Sequence, residues 1–281
     1  MSRNYATISP SARALLLMKG LTPIPYARQA AELIEYPKPY VPDYSVRMPG
    51  LWVRTMHFEA RYLSINQLMP QEITNILELS SGFSFRGLAL ADNSEIYYID
   101  TDLPEIIETK MHLVTQLQAT SPGAPMGHYE LRALNALDKD AFNAIIDSFP
   151  EGPLLIVNEG LLMYLGMEEK RQLCALIRQA LLKRGGYWVT ADIYLKRSSR
   201  VEDPELAQGD TLKAFLEQHK VDDNMFNSFD EAKDFFAGAG FEIDKEAEPD
   251  YASLSALPHF LASASPELLG RIRQYPRMHA T

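Results

Sequence analysis

Residues 76–86 read Ile-Leu-Glu-Leu-Ser-Ser-Gly-Phe-Ser-Phe-Arg, and residues 97–104 read Tyr-Tyr-Ile-Asp-Thr-Asp-Leu-Pro. An apolar strand runs into a small-residue turn, and a second strand ends in two acids. This pattern predicts a nucleotide-type ligand held across the carboxyl ends of two parallel strands, with an acid on its ribose. Gly82 to Asp102 is 20 positions, the spacing that such a ribose contact uses. A dinucleotide site needs Gly-x-Gly-x-x-Gly so that backbone can approach a pyrophosphate. Here Ser80 and Ser81 precede Gly82 and the next glycine is Gly87, so the turn suits a nucleoside without phosphates. Asp100 and Asp102 are expected to face opposite sides of their strand, so that only one meets the ribose. Asp102 is favoured, although either can instead cap the helix that opens at Pro104.

The same strand-end rule selects Asn135 after a third strand and Asn158-Glu159-Gly160 after a fourth. Glu159 follows an apolar run, where a carboxylate is either functional or paired with a nearby cation. Tyr164 has the weaker case of a core tyrosine with a satisfied hydroxyl. Arg61 reads as a surface arginine and Lys19 as a helix-ending cation. The six histidines lack metal-ligand spacing and Cys174 is the one cysteine. A zinc site and an internal disulfide are therefore not expected, and a reducing, cytoplasmic setting is the default. Neither a Gly-x-Ser-x-Gly elbow nor a Gly-Lys-Ser/Thr phosphate loop occurs.

These residues need a frame to position them. The chain has 281 residues, 46% of them hydrophobic, which is ample for one large core. The net charge of -10 disfavours a nucleic-acid partner, because phosphate binding needs a basic surface. The apolar run Ala14–Met18 is too short for a membrane span and reads as a buried helix. Strands are expected at 76–79, 95–99, 129–134, 154–157 and 187–193. Helices are expected at 10–35 (broken by Pro23 and Pro25), 51–75, 104–118, 139–148 and 168–183, with a proline-rich connector at 36–49. Strand and helix alternate at βαβ spacing, so the fold class is α/β, with a doubly wound, mostly parallel sheet. Strands at 241–245 and 251–257 would close it at seven strands. Residues 1–75 form a helical cap, 76–193 the ligand-binding core, 194–236 a polar helical insertion over the sheet, and 237–281 the closing strands and a loose tail.

Ile-Leu-Glu-Leu-Ser-Ser-Gly-Phe-Ser-Phe-Arg, Asp-Thr-Asp-Leu-Pro-Glu with Lys110 following, and Asn-Glu-Gly-Leu-Leu-Met-Tyr-Leu resemble the leucine carboxyl methyltransferase family across residues 10–193. Within it they look like the bacterial polyketide O-methyltransferases of the tetracenomycin type. The resemblance implies a class I, Rossmann-like methyltransferase using S-adenosylmethionine, no metal, and a small-molecule acceptor. The family's usual Gly-Ala-Gly-x-Asp-Thr-Arg turn reads Ser80-Ser81-Gly82-Phe83-Ser84-Phe85-Arg86 here, so Gly82 and Arg86 match. The resemblance puts the ribose acid at Asp102 and the residue for the methionine ammonium at Glu159. It puts cations for the carboxylate at Arg61 and Lys19, and the adenine contact at Leu134-Asn135. A phenol or enol acceptor would call for a general base, with His57, His112 and His128 as candidates, whereas a carboxylate is already ionised at pH 7. Rival readings are methylation of a protein's C-terminal carboxylate, a binding module without turnover and, last, a nicotinamide dehydrogenase.

Overall fold

The computed structural model describes residues 9–34, 40–120, 126–196, 204–207 and 221–274. Five parallel strands form one sheet: β1 (Asn75–Leu79), β2 (Tyr97–Asp102), β3 (His128–Ala133), β4 (Leu154–Asn158) and β5 (Gly186–Thr190). Their order is β3-β2-β1-β4-β5. β1 sits at the centre, with Leu77 opposite Ile99 on one side and Ile156 on the other. Every residue of β1 and β4 is buried, which explains their unbroken apolar runs: both faces are covered.

Side chains alternate across the sheet. Leu77, Leu79, Ile99, Leu154 and Ile156 pack on α6 (Lys139–Ser148), α7 (Met167–Arg184) and α9 (Phe229–Gly238). Ile76, Tyr98, Leu155, Val157 and Val189 face the other way, against Ile65 of α3 (Pro49–Leu68). Beside α3, the helices α1 (Ser9–Lys19), α2 (Ala27–Ile34), α4 (Arg86–Leu90) and α5 (Pro104–Thr120) share a second core built on Leu16, Phe85, Leu88 and Leu113. Gly87 allows α4 to lie on β2, since a Cβ there would stand 2.5 Å from the Tyr98 ring.

Several expected boundaries shift. α3 stops at Leu68, and Asn75 opens β1, where its amide donates to the Pro150 and Pro153 carbonyls. β2 extends through both acids. α4 was not expected. Residues 241–245 and 251–257 are not strands, so the sheet has five strands among the described residues rather than seven. The segment from Glu242 to Asp250 carries five acids, and its Ile243 is 45% exposed, so it has no apolar face to bury. Asp250 instead caps a short 3-10 turn, Tyr251–Ser253, and Pro258 lies in the first turn of α10 (Leu257–Ser263).

α10 and α11 (Pro266–Gln274) fold back onto α3 and α8 (Pro204–Ala207), where Trp52, Ala256, Phe260 and Leu268 form a separate core. The buried Glu59 carboxylate accepts the backbone N–H groups of Ser255 and Ala256, and His259 stacks on Trp52 at 4.6 Å. Of the insertion expected at 194–236, residues 197–203 and 208–220 lie outside the described residues, as do 275–281 of the tail and 35–39 of the connector. The rest of the insertion comprises α8, a 3-10 turn at Val221–Asn224, α9, and a bridge between Leu195 and Phe226. No helix among the described residues is long and apolar enough to cross a membrane.

Candidate cofactor site

Both predicted strand ends meet at the carboxyl edge of the sheet. β1 turns sharply after Leu79, with Ser80 and Gly82 both at φ +51°. That backbone is free for glycine and strained for serine. The Ser81 N–H donates to the Thr101 carbonyl at 2.9 Å, and the Gly82 N–H donates to Asp102 Oδ2 at 2.7 Å. Asp102 Oδ1 accepts from Leu103 N at 2.7 Å. Burial pushes the Asp102 carboxyl up, against the two N–H bonds that favour its charge. Each oxygen has taken one N–H and keeps a further acceptor site. Leu134 follows β3 and is tied to the Asp102 carbonyl through its own N–H, while Asn135 beside it is exposed.

The expectation that Asp100 and Asp102 face opposite sides is wrong. Residues two apart on a strand share a face, and the acids differ in depth rather than direction. Asp100 is fully buried, with Oδ2 paired to Lys110 Nζ at 2.8 Å and accepting from Tyr129 at 2.6 Å. Only Asp102 retains some exposure, at 9%.

The loop after β4 carries the second cluster. Glu159 is paired with Lys19 at 2.7 Å and Arg86 at 3.0 Å, with Arg61 at 4.0 Å. Burial opposes its ionisation, but Lys19, Arg61 and Arg86 outweigh burial and hold the carboxyl well below its usual range. Lys19 ends α1, where a cation suits the helix dipole. Its own pKa is lowered by burial, with Glu159 working the other way. Arg86 is 1% exposed; it reaches Glu78 at 3.2 Å and Asn66 at 2.9 Å and lies over the Tyr62 ring. Arg61 lies against the Phe58 and Tyr194 rings and points one nitrogen at Asp192, 3.4 Å away. Its Nε is buried without a hydrogen-bond partner.

Asp192, just past β5, was not singled out from sequence. Its carboxylate accepts the N–H groups of Gly160, Leu161 and Leu162 and the Asn158 amide, so it shapes the loop that presents Glu159. The rule that picked Asp102 and Glu159, an acid at a strand's carboxyl end, would have found it. Glu78 and Lys110 stood in the motifs that carry the resemblance but were given no role of their own; both are fully buried charged partners here.

Beyond Asp192, Tyr194, Val221 and Met225 form a small buried cluster with Met163 and Tyr164. Lys170 Nζ ties it to the loop by donating to the Leu165 and Asn224 carbonyls, and burial brings this lysine down to about 8. Tyr164 donates to Ser11 Oγ at 3.3 Å. Of the candidate bases, His57 reaches the Tyr194 hydroxyl at 3.4 Å. His112 lies on the solvent face of α5. His128 opens β3 at the opposite edge of the sheet, stacked on Tyr97 and beside Glu130. Neither is brought to the crevice.

The leucine carboxyl methyltransferase family model matches residues 9–178. That span covers α1 through most of α7, including Glu159 and the turn. The chain belongs to the leucine carboxyl methyltransferase family. Its cofactor is accordingly S-adenosylmethionine. An unpartnered guanidinium nitrogen beside a carboxylate suits a ligand that carries both a carboxylate and an ammonium, and the spare acceptors of Asp102 suit a diol. Among solved structures, a DUF574 family protein from Streptomyces avermitilis is 15% identical, with a TM-score of 0.49 over 81% of this chain and 82% of that one. PigF with SAH is 18% identical, with a TM-score of 0.47 over 73% of this chain. An O-methyltransferase family protein from Burkholderia thailandensis is 13% identical, with a TM-score of 0.46 over 71% of this chain. The chain spans 58% and 56% of the latter two. No curated protein matches this chain significantly.

Proposed function

We propose that this methyltransferase moves a methyl group to a hydroxyl or carboxylate oxygen of a small molecule of the secondary-metabolite, polyketide-like kind. The observation that carries this reading is the Tyr194–Val221–Met225 cluster, folded down on Met163 and Tyr164 and latched by Lys170 beside the charged loop. An apolar cluster packed this close to the charged loop favours a compact acceptor over a protein chain.

When bound, S-adenosylmethionine supplies a methyl on a sulfonium sulfur, which leaves as a thioether. In this reading the residues divide the work. Asp102 takes the ribose hydroxyls, with the Ser80–Gly82 turn against the rest of the nucleoside and Leu134 and Asn135 beside adenine. Glu159 takes the ammonium. Lys19, freed from Glu159, joins Arg61 Nε on the carboxylate. Arg86 stays on Glu78 and Glu159 and fixes the latter's direction. The aromatic and methionine side chains exclude water from a reaction that neutralises charge. Alignment of the acceptor oxygen supplies most of the catalysis. His57, against the Tyr194 hydroxyl, receives the acceptor's proton when that acceptor is a phenol or enol.

Calorimetric titration with S-adenosylhomocysteine tests the site. Binding in the micromolar range, weakened in Asp102→Ala and Glu159→Ala, is the expected result; wild-type affinity in both variants overturns the assignment. A panel of hydroxylated aromatic acceptors, run beside peptides with a free C-terminal leucine, tests the acceptor class. Methylation of the peptides alone would favour the protein carboxylate reading. Tight binding with no turnover of any acceptor would favour a non-catalytic module, for which the altered Ser80–Phe85 turn is the supporting feature.

A further inference from the structure

The turn that receives the nucleoside is strained where a serine stands, and something must hold it. Ser80 sits at φ +51°, a backbone region that serine rarely adopts. Three bonds pin the following residues to β2 and α5. Two are donated by backbone N–H groups, Ser81 to the Thr101 carbonyl and Gly82 to the Asp102 carboxylate. The third is unlike them: Lys110 Nζ donates to Ser81 Oγ at 2.9 Å while paired with Asp100 at 2.8 Å. Lys110 is fully buried, and its ammonium lies 5.7 Å from the centre of the Phe85 ring, at the far end of the same turn. One cation therefore touches the turn at both ends and is itself fixed by an acid on the neighbouring strand. A lysine is desolvated at this cost only with firm partners, and here two of the three belong to the turn.

We propose that Lys110 is the positioning residue of the cofactor turn. By holding Ser81 Oγ against Asp100, it keeps Ser80 left-handed and the Gly82 N–H on Asp102, so that the Asp102 carboxylate keeps its aim. Lys110 touches no ligand and acts through Ser81. The inference rests on the assignment of this turn to the cofactor.

The test uses Ser81, because Lys110→Met leaves the buried Asp100 unpaired and is liable to unfold. Ser81→Ala removes only the hydroxyl and should weaken S-adenosylhomocysteine binding about tenfold, the loss of one hydrogen bond to a charged group. Glycine adopts the left-handed turn without help. Ser80→Gly should therefore rescue Ser81→Ala, bringing the double variant to within about threefold of Ser80→Gly alone. A hydroxyl that serves packing alone would show no such rescue. Binding by Ser81→Ala within about twofold of wild type, or a double variant as weak as Ser81→Ala, overturns the proposal.

Amide hydrogen exchange at Gly82 reads the same device without ligand. Ser81→Ala should speed exchange there while leaving β4 unchanged, and Ser80→Gly should slow it again. If wild type fails to bind the ligand but Gly82 exchange behaves in this way, the cofactor assignment falls and the positioning role of Lys110 survives. Unaltered Gly82 exchange in Ser81→Ala overturns that role directly.

Discussion

At the turn end of the crevice, Asp102 works on backbone N–H groups from one strand–turn–strand unit, 20 residues from Gly82. At the loop end, Glu159 is held by side chains drawn from residues 19, 61 and 86, and Asp192 braces its loop from beyond the last strand. The turn end is a matter of backbone conformation, steadied by one buried ion pair, Lys110 with Asp100. The loop end is a balance of buried charges: Glu78, Glu159 and Asp192 against Lys19, Arg61 and Arg86. A backbone site loses about one hydrogen bond when a neighbouring side chain is removed, because its N–H groups stay close to place. A charge cluster loses more, because removing one member leaves its partners desolvated and unpaired.

The sharpest way to break this contrast is Arg86→Met. It strands the fully buried Glu78 and removes a partner of Glu159, and should cost about 3–5 kcal/mol of unfolding free energy. A urea titration showing a loss below about 1 kcal/mol, the scale of an exposed pair, would mean that the loop end is wet and its charges are screened. Binding should separate the ends next. Glu159→Gln should weaken S-adenosylhomocysteine about 100-fold through a lost charged contact, and Asp102→Asn about tenfold, since one oxygen remains to accept. Equal losses by calorimetry would remove the distinction.

The apolar cluster beside the loop end gives a smaller, pH-dependent effect. Lys170 is brought from 10.5 to about 8 in the fold. Between these values the unfolded chain holds a proton that the native state has released, so this group favours folding increasingly as pH rises through that window. The gain is fully present above 10.5 and lost as pH falls through 8. Urea midpoints for wild type should therefore climb relative to Lys170→Met between pH 8 and 10; parallel curves would contradict the burial of this amine. Least of all, His112→Ala and His128→Ala should leave methyl transfer unchanged in a steady-state assay, since both lie away from the crevice.

The same contrast explains what could be read from the chain itself. β1, β4 and the turn with Asp102 are local, and their apolar runs, small residues and spacing carry the signal. Glu159 stood out as a carboxylate after an apolar strand. Lys19 and Arg61 were reachable only through family resemblance, because nothing local distinguishes a cation that will be buried from one that will be solvated. Asp192 and Lys110 matter through partners 30 or so positions away, such as Leu162 and Ser81. The two absent strands failed for a different reason. Residues 241–245 were expected to close the sheet, but a strand also needs a face to bury, and Ile243 has none.

α3 carries Arg61, yet its far side is bedded on Ala256, Phe260 and Leu268, with Glu59 clasping Ser255 and Ala256. During synthesis the chain emerges at roughly 5–20 residues per second, so α3 exists for many seconds before its bed does. The sheet through β5 can assemble in that interval and take up Ile65 of α3, but the opposite side of that helix stays uncovered until residues 254–268 arrive. A nascent chain halted before residue 254 should therefore hold a formed sheet with Trp52 of α3 left uncovered.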